Sequence, residues 1–203
     1  MRLILVRHGE TPYNEEGRVQ GIGDTELNEK GRTQAQLLAR ALEKEEVTAI
    51  YSSSLKRALE TAHIIAEPHG LEVMVEANLR EIDVGELDGL TYVEMAERYG
   101  EFLREWVKGS TTLRMPGGES MAELQGRAWG AIENIAAANR DGVVIIASHY
   151  FAIQSILCRA LNISSFRRMR IDLGGMSILN FGERGISLAL LNDTCHLEGL
   201  IGR

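Results

Sequence analysis

Arg7 and His8 stand side by side where a short apolar run, Leu3 to Val6, breaks off, and Gly9 follows at once. A neutral imidazole is a competent nucleophile toward phosphorus and forms a covalent phosphohistidine. Arginine presents a planar fork of N–H donors to phosphoryl oxygens, where charge spreads in the transition state. A second arginine, Arg57, and a second histidine, His149, also follow apolar runs, Val47–Tyr51 and Val143–Ala147. Brought together, these four side chains would make a phosphoryl-transfer site that works without metal. The arginines beside His8 would keep its ring neutral. A backbone carbonyl on its other N–H would fix the tautomer. His149 would add a donor to the phosphoryl oxygens, and Asn14 is a neutral donor suited to the same task. Gly9 would let the chain pass close to phosphate or take a strained turn. A poor alkoxide leaving group also needs a proton. A carboxylic acid of raised pKa can supply it, then accept one from attacking water. The segment LREIDVGELDG offers Glu81, Asp83, Glu86 and Asp88, and residue type alone does not choose among the four.

The elements that must position these groups alternate along the chain. Leu3–Val6 is continuously apolar, as in a strand covered on both faces. A loop from Gly9 to Asp24 follows. Asn28 suits the N-cap of a helix over Glu29–Lys44, with Ala35, Leu38, Ala39 and Leu42 on one face. Val47–Tyr51 reads as strand, Leu55–Ala66 as helix and Leu71–Val75 as a short strand. Asn78 to Gly89 is irregular. Thr91–Trp106 reads as helix in two pieces. Ser120 with Glu123 forms a capping box that opens a helix to Asn139. Val143–Ala147 is strand, Phe151–Leu161 helix, and Ile178–Phe181 with Ile186–Leu190 a hairpin across Gly182 to Gly185. This order predicts an α/β/α sandwich on a mostly parallel sheet. Ligands of such sheets bind outside the carboxyl ends of the strands, where His8, Arg57 and His149 fall.

Bulk properties bound the partners. The 203 residues fit a single domain, 1–203, and their 44% hydrophobic and 25% charged content is that of an ordinary globular protein. The net charge of −7 speaks against nucleic-acid binding and requires any phosphate site to be a local basic pocket. No apolar stretch has membrane-spanning length. Four apolar residues after Met1-Arg2 are too few for a secretory leader, and two cysteines make no disulfide framework, so the expected location is cytoplasmic. His63, His69 and His196 read as ordinary histidines. No H-x-x-x-H or H-E-x-x-H spacing suggests a metal site.

The motifs LVRHGETPYN, DTELNEKGRTQA, IYSSSLKRALETA, LREIDVGELDG, PGGES and VVIIASHY, in this order, resemble the histidine phosphatase superfamily. The branch resembled contains cofactor-dependent phosphoglycerate mutases and small phosphatases. The resemblance implies the three-layer α/β/α sandwich and no metal or other cofactor. It implies His8 as the phosphorylated nucleophile, Arg7, Arg57 and His149 as the phosphate pocket, and Glu81 as the proton donor. Asn14 and Gln20 match positions that line the phosphate or substrate. The implied substrate is a small phosphorylated metabolite, such as phosphoserine, α-ribazole phosphate or a sugar or glycerate phosphate. The alternative is a phosphoglycerate mutase. The short stretch between Gly89 and Gly117, with no mutase-like insertion, favours the phosphatase.

One position departs from the pattern. The family usually has glycine after its second histidine and this chain has Tyr150, a ring that would narrow the pocket or offer a phenol to the substrate. A lid-like insertion is expected over 91–118, with Met95, Phe102, Leu103 and Trp106 as its apolar members. The two glycines of PGGES would serve a cap or a close approach to a ligand. The apolar tail with Leu197, Leu200 and Ile201 would cover the site mouth, meet a second subunit in a homodimer, or dock on its own core.

Overall fold

The computed structural model describes residues 1–165 and 169–200. Six strands, β1 Arg2–Arg7, β2 Val47–Ser52, β3 Val73–Val75, β4 Val143–Ser148, β5 Met176–Gly182 and β6 Gly185–Asp193, form one sheet in the order β3-β2-β4-β1-β5-β6. Strands β3, β2, β4 and β1 run parallel, and β5 and β6 are antiparallel additions at one edge. The helices are α1 Pro12–Glu15, α2 Glu29–Leu42, α3 Lys56–Ala66, α4 Tyr92–Trp106, α5 Met121–Ala138 and α6 Tyr150–Ala160.

The alternation of side chains along a strand builds the three layers. Leu3 and Leu5 of β1, with Val144 and Ile146 of β4, face a core shared with Leu124, Ile132, Ile153 and Ile156 of α5 and α6. Ile4, Val6, Ile145 and Ala147 face the opposite way, onto Leu38 and Leu42 of α2 and Ala62 and Ile65 of α3. Because both faces are covered, β1 is continuously apolar from Leu3 to Val6 and β4 from Val143 to Ala147, and each strand turns polar at its C-terminal end, at Arg7 and Ser148.

Local signals hold where the chemistry is local. Asn28 caps α2 by accepting from Gly31 N–H, and Ser120 with Glu123 closes the expected capping box on α5. Helix α4 is kinked at Tyr99 (φ −129°, ψ 28°), so the expected two pieces form one bent element. The strand expected over Leu71–Val75 shortens to Val73–Val75, because β3 is an edge strand that pairs only with Ile50–Ser52. The described part of the tail docks on its own core. Leu197 is buried and lies against Gly174, while Ile201 falls outside the described residues. No helix among the described residues is long and apolar enough to cross a membrane.

Candidate active site

Arg7 pairs with Ser148 across β1 and β4, so the next residue on each strand, His8 and His149, leaves the sheet at the same edge. His8 N–H donates to the Ser148 carbonyl (3.1 Å) and the two imidazole centroids lie 5.2 Å apart. Both rings are buried.

The tautomer of His8 follows from its neighbours. Its Nδ1 lies 2.7 Å from the Gly9 carbonyl oxygen, which can only accept, so Nδ1 carries the proton. Nε2 therefore holds the lone pair, and Arg57 Nε–H donates to it at 3.3 Å. Burial, then the charges of Arg57 and Arg7, push the His8 pKa well below its usual value. The ring is a neutral base whose Nε2 carries the lone pair, as a nucleophile requires.

Arg57 opens α3 from the first turn and is fully buried. Its Nη1 and Nη2 donate to the carbonyls of Gly23 (2.8 Å) and Gly21 (2.7 Å). Desolvation lowers its pKa to about 10, which leaves it cationic at neutral pH. Arg7 donates from Nη1 to the Ile171 carbonyl (2.7 Å), and its guanidinium carbon sits 5.1 Å from the centre of the Tyr150 ring. Tyr150 thus stacks on a pocket arginine, and its ring also meets Phe151 edge-on at 5.0 Å.

His149 Nε2 is 2.6 Å from the hydroxyl of Ser53. That hydroxyl already accepts from Leu55 N–H (3.1 Å), and no other acceptor for its proton is recorded among the described residues. Proton accounting then has Ser53 donating to Nε2, which places the His149 proton on Nδ1. Nδ1 is buried and has no partner among the described residues, so it is a donor ready for an incoming oxygen. Burial first, then Arg57, lowers the His149 pKa as well.

Of the four carboxylates in LREIDVGELDG, Glu81 is the one brought to this cluster. Its Oε1 accepts from Ile82 N–H (2.9 Å) and from Phe151 and Ala152 N–H (3.2 Å each), and its Oε2 from Phe151 N–H (3.1 Å). The carboxyl group therefore closes the N-terminus of α6, where His149 supplies no side-chain cap. Desolvation raises its pKa, opposed by these amides and by Arg57 and Arg7, and burial prevails. Asp83 and Asp88 instead serve backbone N–H groups, of Gly85 and of Gly21 and Gly23, and Glu86 accepts from Tyr99 hydroxyl.

The other expected residues make local contacts. Asn14 Oδ1 accepts from Thr11 N–H (3.2 Å) and closes the capping box of α1. Gln20 is bonded to the Thr11 hydroxyl (3.0 Å) and to Thr25. Both amides are gathered round the fully buried Thr11, a residue the sequence reading did not single out. Gly9 has an ordinary negative-side φ, so the strained turn is absent. Its smallness is needed because a Cβ there would lie 2.3 Å from the Gly31 carbonyl oxygen on α2. Of the PGGES glycines, Gly117 takes a φ of 70° and Gly118 approaches backbone: a Cβ on Gly118 would stand 2.1 Å from the Asp83 carbonyl oxygen.

Comparison with known proteins agrees with this geometry. The profile of the histidine phosphatase superfamily (branch 1) matches residues 3–194. The chain belongs to the histidine phosphatase superfamily. Phosphoserine phosphatase 1 of Hydrogenobacter thermophilus is 38% identical over 97% of this chain and 94% of its own length. Phosphoglycerate mutase-like protein 4 of Arabidopsis thaliana is 40% identical over 78% of this chain and 70% of its own. A phosphoserine phosphatase mutant from Entamoeba histolytica, solved with phosphoserine, superposes with a TM-score of 0.87. It shares 28% identity and covers 97% of this chain and 98% of that one. A histidine phosphatase fold thus accounts for the sheet order and for the convergence of both histidines at one strand edge.

Proposed function

We propose that this chain is a metal-independent phosphomonoesterase acting through a phosphohistidine at His8. The observation that carries the reading is the locked tautomer, with Nδ1–H on the Gly9 carbonyl and the Nε2 lone pair beside Arg57. In the first step Nε2 attacks phosphorus while the bond to the leaving oxygen breaks. Arg7, Arg57 and His149 Nδ1–H stabilise the nonbridging oxygens, and Arg57 moves its N–H from the lone pair to one of them. Glu81 protonates the leaving oxygen from Oε2, which carries only one of the backbone hydrogen bonds. In the second step water attacks phosphorus and gives its proton to Glu81. The P–Nε2 bond breaks and phosphate leaves with the lone pair restored.

The substrate class in this reading is a small phosphorylated metabolite, with phosphoserine, α-ribazole phosphate and sugar or glycerate phosphates as candidates. Helix α4 and the loop to Gly118 act as its lid, and the whole chain as one catalytic domain. Free thiols at Cys158 and Cys195 suit a cytoplasmic setting. Phosphate release from a panel of phosphorylated metabolites tests the reading. Isomerisation of phosphoglycerate stimulated by bisphosphoglycerate, with no free phosphate released, would replace it with the mutase alternative.

A further inference from the structure

Four successive backbone carbonyls lead into and include Glu81, and each is held by a side chain from elsewhere. Arg127 on α5 donates from Nη1 to Asn78 O (2.7 Å) and Arg80 O (2.8 Å), and from Nη2 to Glu81 O (2.8 Å). Ser148 Oγ donates to Leu79 O (2.7 Å). Arg127 also pairs with Glu119, each side chain being 15% exposed. Glu119 Oε1 in turn accepts from Asp83 N–H (2.9 Å), and Glu119 N–H donates to Asp83 O (2.9 Å).

The segment needs this because it is irregular. It has no sheet ladder to satisfy its polar backbone or to fix its path. Glycines on both sides allow the contact with the PGGES loop: Gly118 lies against Asp83 O and Gly85 against Pro116 O, at distances that leave no room for a Cβ. A group that transfers a proton must be held to a fraction of an ångström, and a displacement of about 1 Å can cost on the order of 100-fold in rate.

We infer that Arg127 and Glu119 are positioning residues for the acid function of Glu81, and that this is the task of the PGGES loop. The inference rests on the proposed role of Glu81 as proton donor. Neither residue touches the reacting atoms. Lysine at 127 retains the charge but cannot span the carbonyls of residues 78, 80 and 81 together with Glu119.

The test exploits leaving-group chemistry. The phenolate of an aryl phosphate such as p-nitrophenyl phosphate departs without protonation, whereas the alkoxide of an alkyl phosphate depends on the acid. The kcat/KM covers events up to phosphoryl transfer to His8, so the later attack of water does not confuse it. For Arg127→Lys the ratio of alkyl to aryl kcat/KM falls about tenfold or more from wild type. Glu119→Gln keeps an acceptor for Asp83 N–H and lowers the ratio about three- to tenfold. Glu119→Gln is the deciding variant if Arg127→Lys melts below the assay temperature. Glu81→Gln is the control. Its failure to lower the ratio would overturn the role of Glu81 itself. A lowered ratio for Glu81→Gln, with an unchanged ratio or an equal loss on both substrates for the positioning variants, would overturn this inference alone.

Discussion

Arg57 Nε–H points at the Nε2 lone pair of His8 from 3.3 Å, while Nδ1 of the same ring is tied to the Gly9 carbonyl. One cation thus both marks the reactive nitrogen and disfavours its protonation. It holds that place because the Gly23 and Gly21 carbonyls accept from its Nη1 and Nη2.

Replacing Arg57 with lysine removes this three-point grip. An ammonium cannot reach Nε2 and both carbonyls at once. The expected loss in kcat/KM is about 100- to 1000-fold, the range for removing a preorganised donor from a developing oxyanion. Steady-state kinetics on an aryl phosphate reads it, and a loss under about threefold contradicts the assignment.

The depressed histidine pKa values set the pH dependence of stability. The unfolded chain protonates His8 and His149 near 6.5, and the folded protein resists until well below that value. Their contribution to stability is therefore complete above 6.5 and is lost as pH falls toward the folded pKa values. The slope is about 1.4 kcal/mol per pH unit for each histidine. Glu81, whose pKa is raised, gives the opposite slope just above its ordinary value. Urea unfolding between pH 7 and 5 should show a steep loss in wild type and a shallower one in a His8→Asn, His149→Asn double variant. Equal slopes would contradict neutral buried rings.

Ser53 fixes the His149 tautomer by donating to Nε2. Ser53→Ala removes that bond and frees the ring to place its proton on either nitrogen. We expect kcat/KM to fall about tenfold, the worth of one misdirected hydrogen bond. Nitrogen-15 spectra of the histidines should change from an Nδ1–H pattern to a mixture. An Nε2–H pattern in the wild type would refute the proton accounting.

Tyr150 stacks on Arg7, with its ring centre 5.1 Å from the guanidinium carbon. Tyr150→Phe retains the ring and should leave vanadate inhibition close to wild type. Tyr150→Gly removes it and should weaken inhibition about two- to thirtyfold, as expected for a partly desolvated cation–π contact. If Phe behaves like Gly, the phenol and not the ring face is what matters.

Much of this site was legible because its chemistry lies immediately beyond apolar runs. Strands β1 and β4 are neighbours in the sheet, so the residues that follow them, His8 and His149, had to meet. Glu81 was legible only by resemblance, since its selection over Asp83, Glu86 and Asp88 depends on a turn path that no periodicity encodes. Asn14 sits against Thr11 because a short polar side chain satisfies local backbone as readily as a ligand, and Gln20 meets the Thr11 and Thr25 hydroxyls instead. Gly9 reads from the sequence as a close approach to phosphate or a strained turn; its contact with Gly31 is a separate demand, and contacts between distant glycines leave no mark on a single sequence. Arg127 acts on backbone carbonyls, and the demand of an irregular loop for donors is invisible in a list of side chains.

The most direct test of the central claim is to trap the covalent intermediate. Wild-type protein mixed with p-nitrophenyl phosphate and quenched within the first turnover should carry one acid-labile, base-stable phosphate on the peptide containing His8. The account predicts that His8→Ala carries none and releases no nitrophenol. Phosphate absent from His8 in the wild type, or hydrolysis retained by His8→Ala, would contradict it.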